Sequence, residues 1–133
     1  MQFHHVGYLV RDISRSMDAF QLLGYKVERP SRLDEVRLAY IGFMRMDGSR
    51  IEIIQPANDE SPIYLLMKKY KNTPYHLCFS TTNMDEEIKM LEAKGFMVFK
   101  AREAAPCMDH KDVVFLMSQD IGMIELYEND GDW

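Results

Sequence analysis

Apolar side chains at Ile13, Met17, Phe20 and Leu23 are spaced by three and four along the chain. Met84, Ile88 and Leu91, with Met90 beside them, repeat that spacing. Such spacing puts each set on one helical face and predicts two amphipathic helices. Asp12 and Asn83 stand where N-caps belong, and Gly24 and Gly95 stand where such helices end. A strand-like run precedes each helix: His5-Val-Gly-Tyr-Leu-Val-Arg-Asp in the first case, His76-Leu-Cys-Phe-Ser-Thr-Thr-Asn in the second. Aromatic-x-Val follows each glycine, as Tyr25-Lys-Val27 and Phe96-Met-Val98.

The two stretches are copies of one unit. His5 to Gly24 and His76 to Gly95 span the same 19 positions. Each copy continues into strands, 36–44 in the first and 113–117 in the second. Asp47-Gly48 then turns the chain into Arg50-Ile-Glu-Ile-Ile54, and Asp120-Ile-Gly122 turns it into Met123-Ile-Glu-Leu-Tyr127. Each half reads strand, helix, strand, strand, strand. The prediction is an α+β fold of two tandem βαβββ modules, related by a pseudo-twofold axis and forming a curved mixed-sheet cup. The modules cover about 1–57 and 74–128. A short linker helix, 62–70, is expected to start at Ser61-Pro62 and stop before Pro74.

Composition narrows the function classes. A chain of 133 residues, 47% hydrophobic, is one ordered domain, and neither module buries its sheet face well alone. No apolar run is long enough to span a bilayer, and Met1-Gln-Phe-His-His5 lacks the pattern of a signal peptide, so a cytoplasmic location is expected. Two cysteines, Cys78 and Cys107, exclude a disulfide scaffold or a cysteine-rich zinc module. A net charge of −5 argues against nucleic-acid and membrane partners. An anionic small molecule stays compatible, because a pocket needs only a few local cations. The 11 methionines read as flexible core filler.

The chemistry lies on the repeat. His5 and His76 open equivalent strands, and Glu52 and Glu125 sit mid-strand among branched apolar residues. A carboxylate in such a strand is costly unless exposed or paired. The pseudo-twofold brings one His and one Glu from each module towards a common centre. Two imidazoles and two carboxylates suit a borderline divalent ion such as Ni²⁺, Co²⁺, Mn²⁺, Fe²⁺ or Zn²⁺, one per chain. His4 misses the repeat by one position and reads as a packed or surface histidine.

These segments, with Asn58-Asp-Glu-Ser-Pro-Ile and Gly122-Met-Ile-Glu-Leu, resemble the vicinal-oxygen-chelate superfamily over nearly the whole chain. Its members include glyoxalase I, methylmalonyl-CoA epimerase, extradiol dioxygenases and bleomycin resistance proteins. The resemblance implies metal ligands at His5, Glu52, His76 and Glu125, commonly with nickel or cobalt in bacterial glyoxalase I. It also implies proton transfer through an enediolate or enolate stabilised by the ion, with Glu125 the first candidate for the base and Glu52 the second. A homodimer is expected, with each site built within one chain.

The substrate divides the readings. The Asn58–Ile63 segment resembles epimerases. Against that, 101–111 contains no glycine, no His-Pro follows it, and a carboxylate that some epimerases use as base falls at Arg37. These departures favour a glyoxalase I-type lyase or isomerase acting on a thiol hemithioacetal. Methylmalonyl-CoA epimerase, with an acyl-CoA substrate, is the alternative. A metal-free ligand-sequestering resistance protein is the second alternative.

Weaker candidates have plain structural readings. Arg37 shares a face with Glu35 and Ala39 and could meet an anionic substrate, but a solvated strand residue is the preferred reading. Lys68, Lys69 and Lys71 read as a wet helix face. Cys107, Asp109, His110 and Lys111 read as loop residues near the site.

Overall fold

The computed structural model describes residues 1–131 and residue 133. In chain order the elements are β1 (Gln2–Leu9), α1 (Ile13–Leu22), β2 (Lys26–Asp34), β3 (Ala39–Met46), β4 (Ser49–Pro56) and α2 (Tyr64–Tyr70). They continue with β5 (Thr73–Thr81), α3 (Met84–Ala93), β6 (Met97–Ala105), a 3₁₀ turn (Pro106–Met108), β7 (Lys111–Ser118) and β8 (Gly122–Glu128). The chain divides into two compact units. One is His5–Tyr75; the other is Met1–His4 with His76–Trp133. No helix among the described residues is long and apolar enough to cross a membrane.

In the unit His5–Tyr75, β2, β3 and β4 are antiparallel, and β4 pairs parallel with β1. The β3–β4 hairpin closes across Asp47-Gly48, with Met46 opposite Ser49. α1 covers one face of this sheet. Ile13 and Met17 pack there on Met44, Ile51 and Ile53, with Tyr8, Phe20 and Tyr25 at the margin. The other unit repeats the plan: β6, β7 and β8 are antiparallel, and β8 pairs parallel with β5. There Met84 and Leu91 of α3 pack on Val114, Leu116, Ile124 and Leu126. In both units side-chain alternation sends Glu52 or Glu125 to the face away from the helix.

The predicted caps are formed. Asp12 Oδ1 accepts from Arg15 N at 3.1 Å, and Asn83 Oδ1 from Glu86 N at 3.3 Å. Both helices end in a Schellman arrangement: Gly24 N donates to Gln21 O and Tyr25 N to Phe20 O, matched by Gly95 N to Glu92 O and Phe96 N to Leu91 O. Gly24 and Gly95 have φ of 109° and 98°, where a side chain would be strained.

Four expectations are corrected. The strand expected over 36–44 begins only at Ala39, because Asp34 Oδ1 accepts from the backbone N–H of both Val36 and Arg37 and turns the chain. The linker helix starts at Tyr64, not Pro62: the Ser61 hydroxyl donates to Arg37 O instead of capping. Met90 is exposed and lies off the buried face of α3. Met17, Met44, Met84 and Met108 fill the interior, but Met97 and Met117 are exposed, so the core-filler reading holds for only some methionines.

Candidate metal centre

Each unit holds one buried histidine–glutamate pair, built in the same way. In the unit His5–Tyr75, the parallel β1–β4 register sets Gly7 beside Glu52, two residues beyond His5. Phe43 of β3 lies directly opposite Glu52. The His5 ring packs edge-on against Phe43, with centroids 5.5 Å apart. His5 Nε2 lies 3.6 Å from Glu52 Oε1, and both side chains are fully buried. That spacing is too long for a good hydrogen bond and compatible with two atoms each about 2.1 Å from one ion.

The other unit matches this residue for residue. Cys78, two beyond His76, lies beside Glu125, and Phe115 lies opposite Glu125. His76 packs edge-on against Phe115 at 5.4 Å. His76 Nε2 is 2.9 Å from Glu125 Oε2, again with both groups fully buried. The two aromatic platforms were not singled out from the sequence, although Phe43 and Phe115 occupy equivalent places in the repeat. His5, Glu52, His76 and Glu125 are ligand types that a divalent ion takes, and burial of two carboxylates calls for compensating positive charge.

Arg37 overturns its sequence reading. It is not a solvated strand residue. It sits in the turn before β3, 8% exposed, with Nη1 3.7 Å from Glu52 Oε2. Its backbone is held at both ends, by Asp34 at the N–H and by Ser61 at the carbonyl. Arg37→Met strips a cation from a buried carboxylate. It is expected to lower the stability of metal-free protein by about 3 kcal/mol in urea unfolding. Arg15→Met, at the exposed pair with Asp12, should change it by less than about 0.5 kcal/mol.

The remaining candidates have other surroundings. His4 is buried, its Nε2 is 2.7 Å from Trp133 O, and its ring packs on Tyr127 and Trp133. Lys68, Lys69 and Lys71 are exposed, on and just after α2. Cys107 lies half-buried in the 3₁₀ turn, and Asp109 and His110 follow with positive φ. Lys111 Nζ donates to Asn129 Oδ1 at 2.7 Å.

A family model described as the Glyoxalase/Bleomycin resistance protein/Dioxygenase superfamily matches residues 4–115, and the chain belongs to that superfamily. Among curated proteins, the mitochondrial methylmalonyl-CoA epimerase of Bos taurus is 26% identical over 129 residues, covering 94% of this chain and 73% of the relative. That of Dictyostelium discoideum is 24% identical over 131 residues, covering 96% and 78%. Solved structures show the same glyoxalase-like fold. A hypothetical protein from Bacillus halodurans C-125 has a TM-score of 0.87 at 20% identity, covering 99% of this chain and 96% of its own. A Streptomyces coelicolor methylmalonyl-CoA epimerase variant, solved in complex with 2-nitronate-propionyl-CoA, has a TM-score of 0.84 at 18% identity, covering 98% and 99%.

Proposed function

We propose that this chain is a divalent-metal-dependent isomerase that epimerises an acyl-CoA of the methylmalonyl-CoA type. The observation that carries the reading is the matched pair of buried sites, His5–Glu52 and His76–Glu125, each set on a phenylalanine at the same register position. Superfamily membership supports an ion shared by these four residues, one per chain, with nickel or cobalt as the proposed metals. Both curated relatives named above are epimerases, which favours this reading over the glyoxalase I-type lyase that the ligand set and the glycine-free 101–111 segment suggested.

A divalent ion in this setting supplies Lewis-acid stabilisation of the negative charge that develops on a substrate oxygen. The protein's own groups do the rest. Glu125 would remove the proton from the carbon between the thioester and the carboxylate, and a proton returned to the opposite face of that carbon, with Glu52 the candidate acid, would complete the epimerisation. His76 beside it and Phe115 opposite hold the Glu125 carboxylate in place. Glu52 divides its charge between His5 and Arg37, which makes it the second candidate base. The apolar surroundings exclude water and strengthen each electrostatic contact.

Metal-loaded protein should turn over methylmalonyl-CoA and leave the methylglyoxal–thiol hemithioacetal unchanged in a side-by-side assay. The reverse preference would return the glyoxalase I-type reading. Drug binding without metal, with neither substrate turned over, would favour sequestration.

Assembly is proposed as a homodimer, with each site formed within one chain. Sedimentation should report twice the chain mass at assay concentrations. A strictly monomeric active enzyme would contradict it.

A further inference from the structure

The two units agree at the ligand pairs and differ sharply one step along the same strands. In the unit His5–Tyr75, Lys26, Arg45 and Arg50 lie directly opposite one another across β2, β3 and β4. Arg45 is two residues beyond Phe43, and Arg50 is two residues before Glu52. Side-chain alternation therefore puts all three on the ligand-bearing face, about 7 Å along the strands from the Phe43–Glu52 pair. In the other unit the corresponding row is Met97, Met117 and Met123, in the same cross-strand register beyond Phe115 and Glu125. Three cations in one copy of the repeat correspond to three methionines at the equivalent positions of the other copy.

The cation row is built, not incidental. Arg50 is buried and its Nε donates to Glu28 Oε1 at 2.9 Å, and Arg45 Nη1 lies 3.6 Å from Glu28 Oε2. One glutamate thus serves both arginines. Burial pushes the Arg50 guanidinium down from its usual range, Glu28 pushes it back up, and Arg45 and Arg29 oppose it. Gathering like charges on one face is costly where a single carboxylate balances two guanidiniums, and an anion bound there relieves that cost.

We infer that Lys26, Arg45 and Arg50 form a subsite for the phosphate groups of the substrate's CoA moiety. The inference rests on the acyl-CoA reading above and adds to it which part of the molecule this row recognises. Phosphate chemistry fits better than a single carboxylate, because a row of three cations spans three strands and offers several donors at once. With its pantetheine arm folded back over β2–β4, a CoA thioester would set its acyl group at the glutamates and its phosphates at the ends of the Lys26 and Arg45 side chains.

The test compares wild type with Lys26→Gln/Arg45→Gln, metal-loaded, on methylmalonyl-CoA and on methylmalonyl-pantetheine, which lacks the phosphates. The variant should lose roughly 10- to 100-fold in kcat/KM for the CoA thioester relative to the pantetheine thioester, mostly through KM. Rising salt should shrink that gap. An equal effect on both substrates overturns the subsite. Calorimetric titration with CoA, pantetheine and inorganic pyrophosphate gives a readout that does not need turnover. If wild type turns over neither thioester, the epimerase reading fails. The subsite still stands if CoA binds wild type at least about tenfold more tightly than the variant while pantetheine does not discriminate. Equal CoA affinity overturns it. Tight pyrophosphate binding that CoA does not displace also overturns it, since the row would then serve a free anion. Arg45→Lys, which keeps the charge, should restore most of the CoA preference in the Lys26 wild-type background.

Discussion

Glu125→Gln is expected to lower kcat for methylmalonyl-CoA by about 10²–10⁴-fold, the usual contribution of a positioned base. Glutamine keeps the volume and one carbonyl oxygen, so the packing between His76 and Phe115 is retained. It cannot accept a proton from carbon at neutral pH. The Glu125 side chain is fully buried, so solvent does not readily substitute for it. The assay is run at saturating metal, with bound metal measured in the same samples. A fall in kcat much larger than the fall in metal occupancy identifies a base. A variant that loses activity only in proportion to its metal reduces Glu125 to a permanent ligand and passes the role of base to Glu52.

The second large effect concerns the histidines. His5→Ala or His76→Ala should weaken divalent-ion binding by roughly 10²-fold or more, since even outer groups that orient ligands cost 10- to 100-fold when removed. Each substitution takes one nitrogen from a four-residue set. His4→Ala is the control. Its ring is engaged with Tyr127, Trp133 and the Trp133 carbonyl, so removing it should cost stability and leave metal affinity nearly unchanged. Competition against a chromophoric chelator reads the affinities. The rise in unfolding temperature on adding metal gives a second measure, because an ion that binds the native state stabilises it. Equal loss on His4→Ala would break the assignment made from the repeat.

Much of this was legible in the sequence because it rests on local rules applied twice. Helix caps, terminating glycines and strand alternation occur at matching offsets in both copies, and the repeat picks His5 and His76 out from His4. Arg37 was hidden for a physical reason. The apolar run through 36–44 reads as continuous strand, and only the Asp34 side chain, taking two backbone N–H groups, converts its start into a turn. The burial of Arg37 then follows from Ser61, 24 positions away, holding its carbonyl. The preference for a hemithioacetal substrate leaned on 101–111. Absence of glycine there was read as loss of an epimerase loop, but the segment continues β6 to Ala105 before a 3₁₀ turn, where glycine is not required. The cation row was invisible because Lys26, Arg45 and Arg50 are scattered in sequence and meet only through cross-strand register.

The central claim is that these residues move the α-proton of an acyl-CoA. The most direct measurement is incubation of metal-loaded protein with one epimer of methylmalonyl-CoA in D₂O, followed by NMR of the α-carbon. The account predicts deuterium at that carbon together with loss of stereochemical purity, both suppressed in Glu125→Gln. Retention of the α-proton in metal-replete wild type, with the hemithioacetal converted in the same buffer, would contradict it.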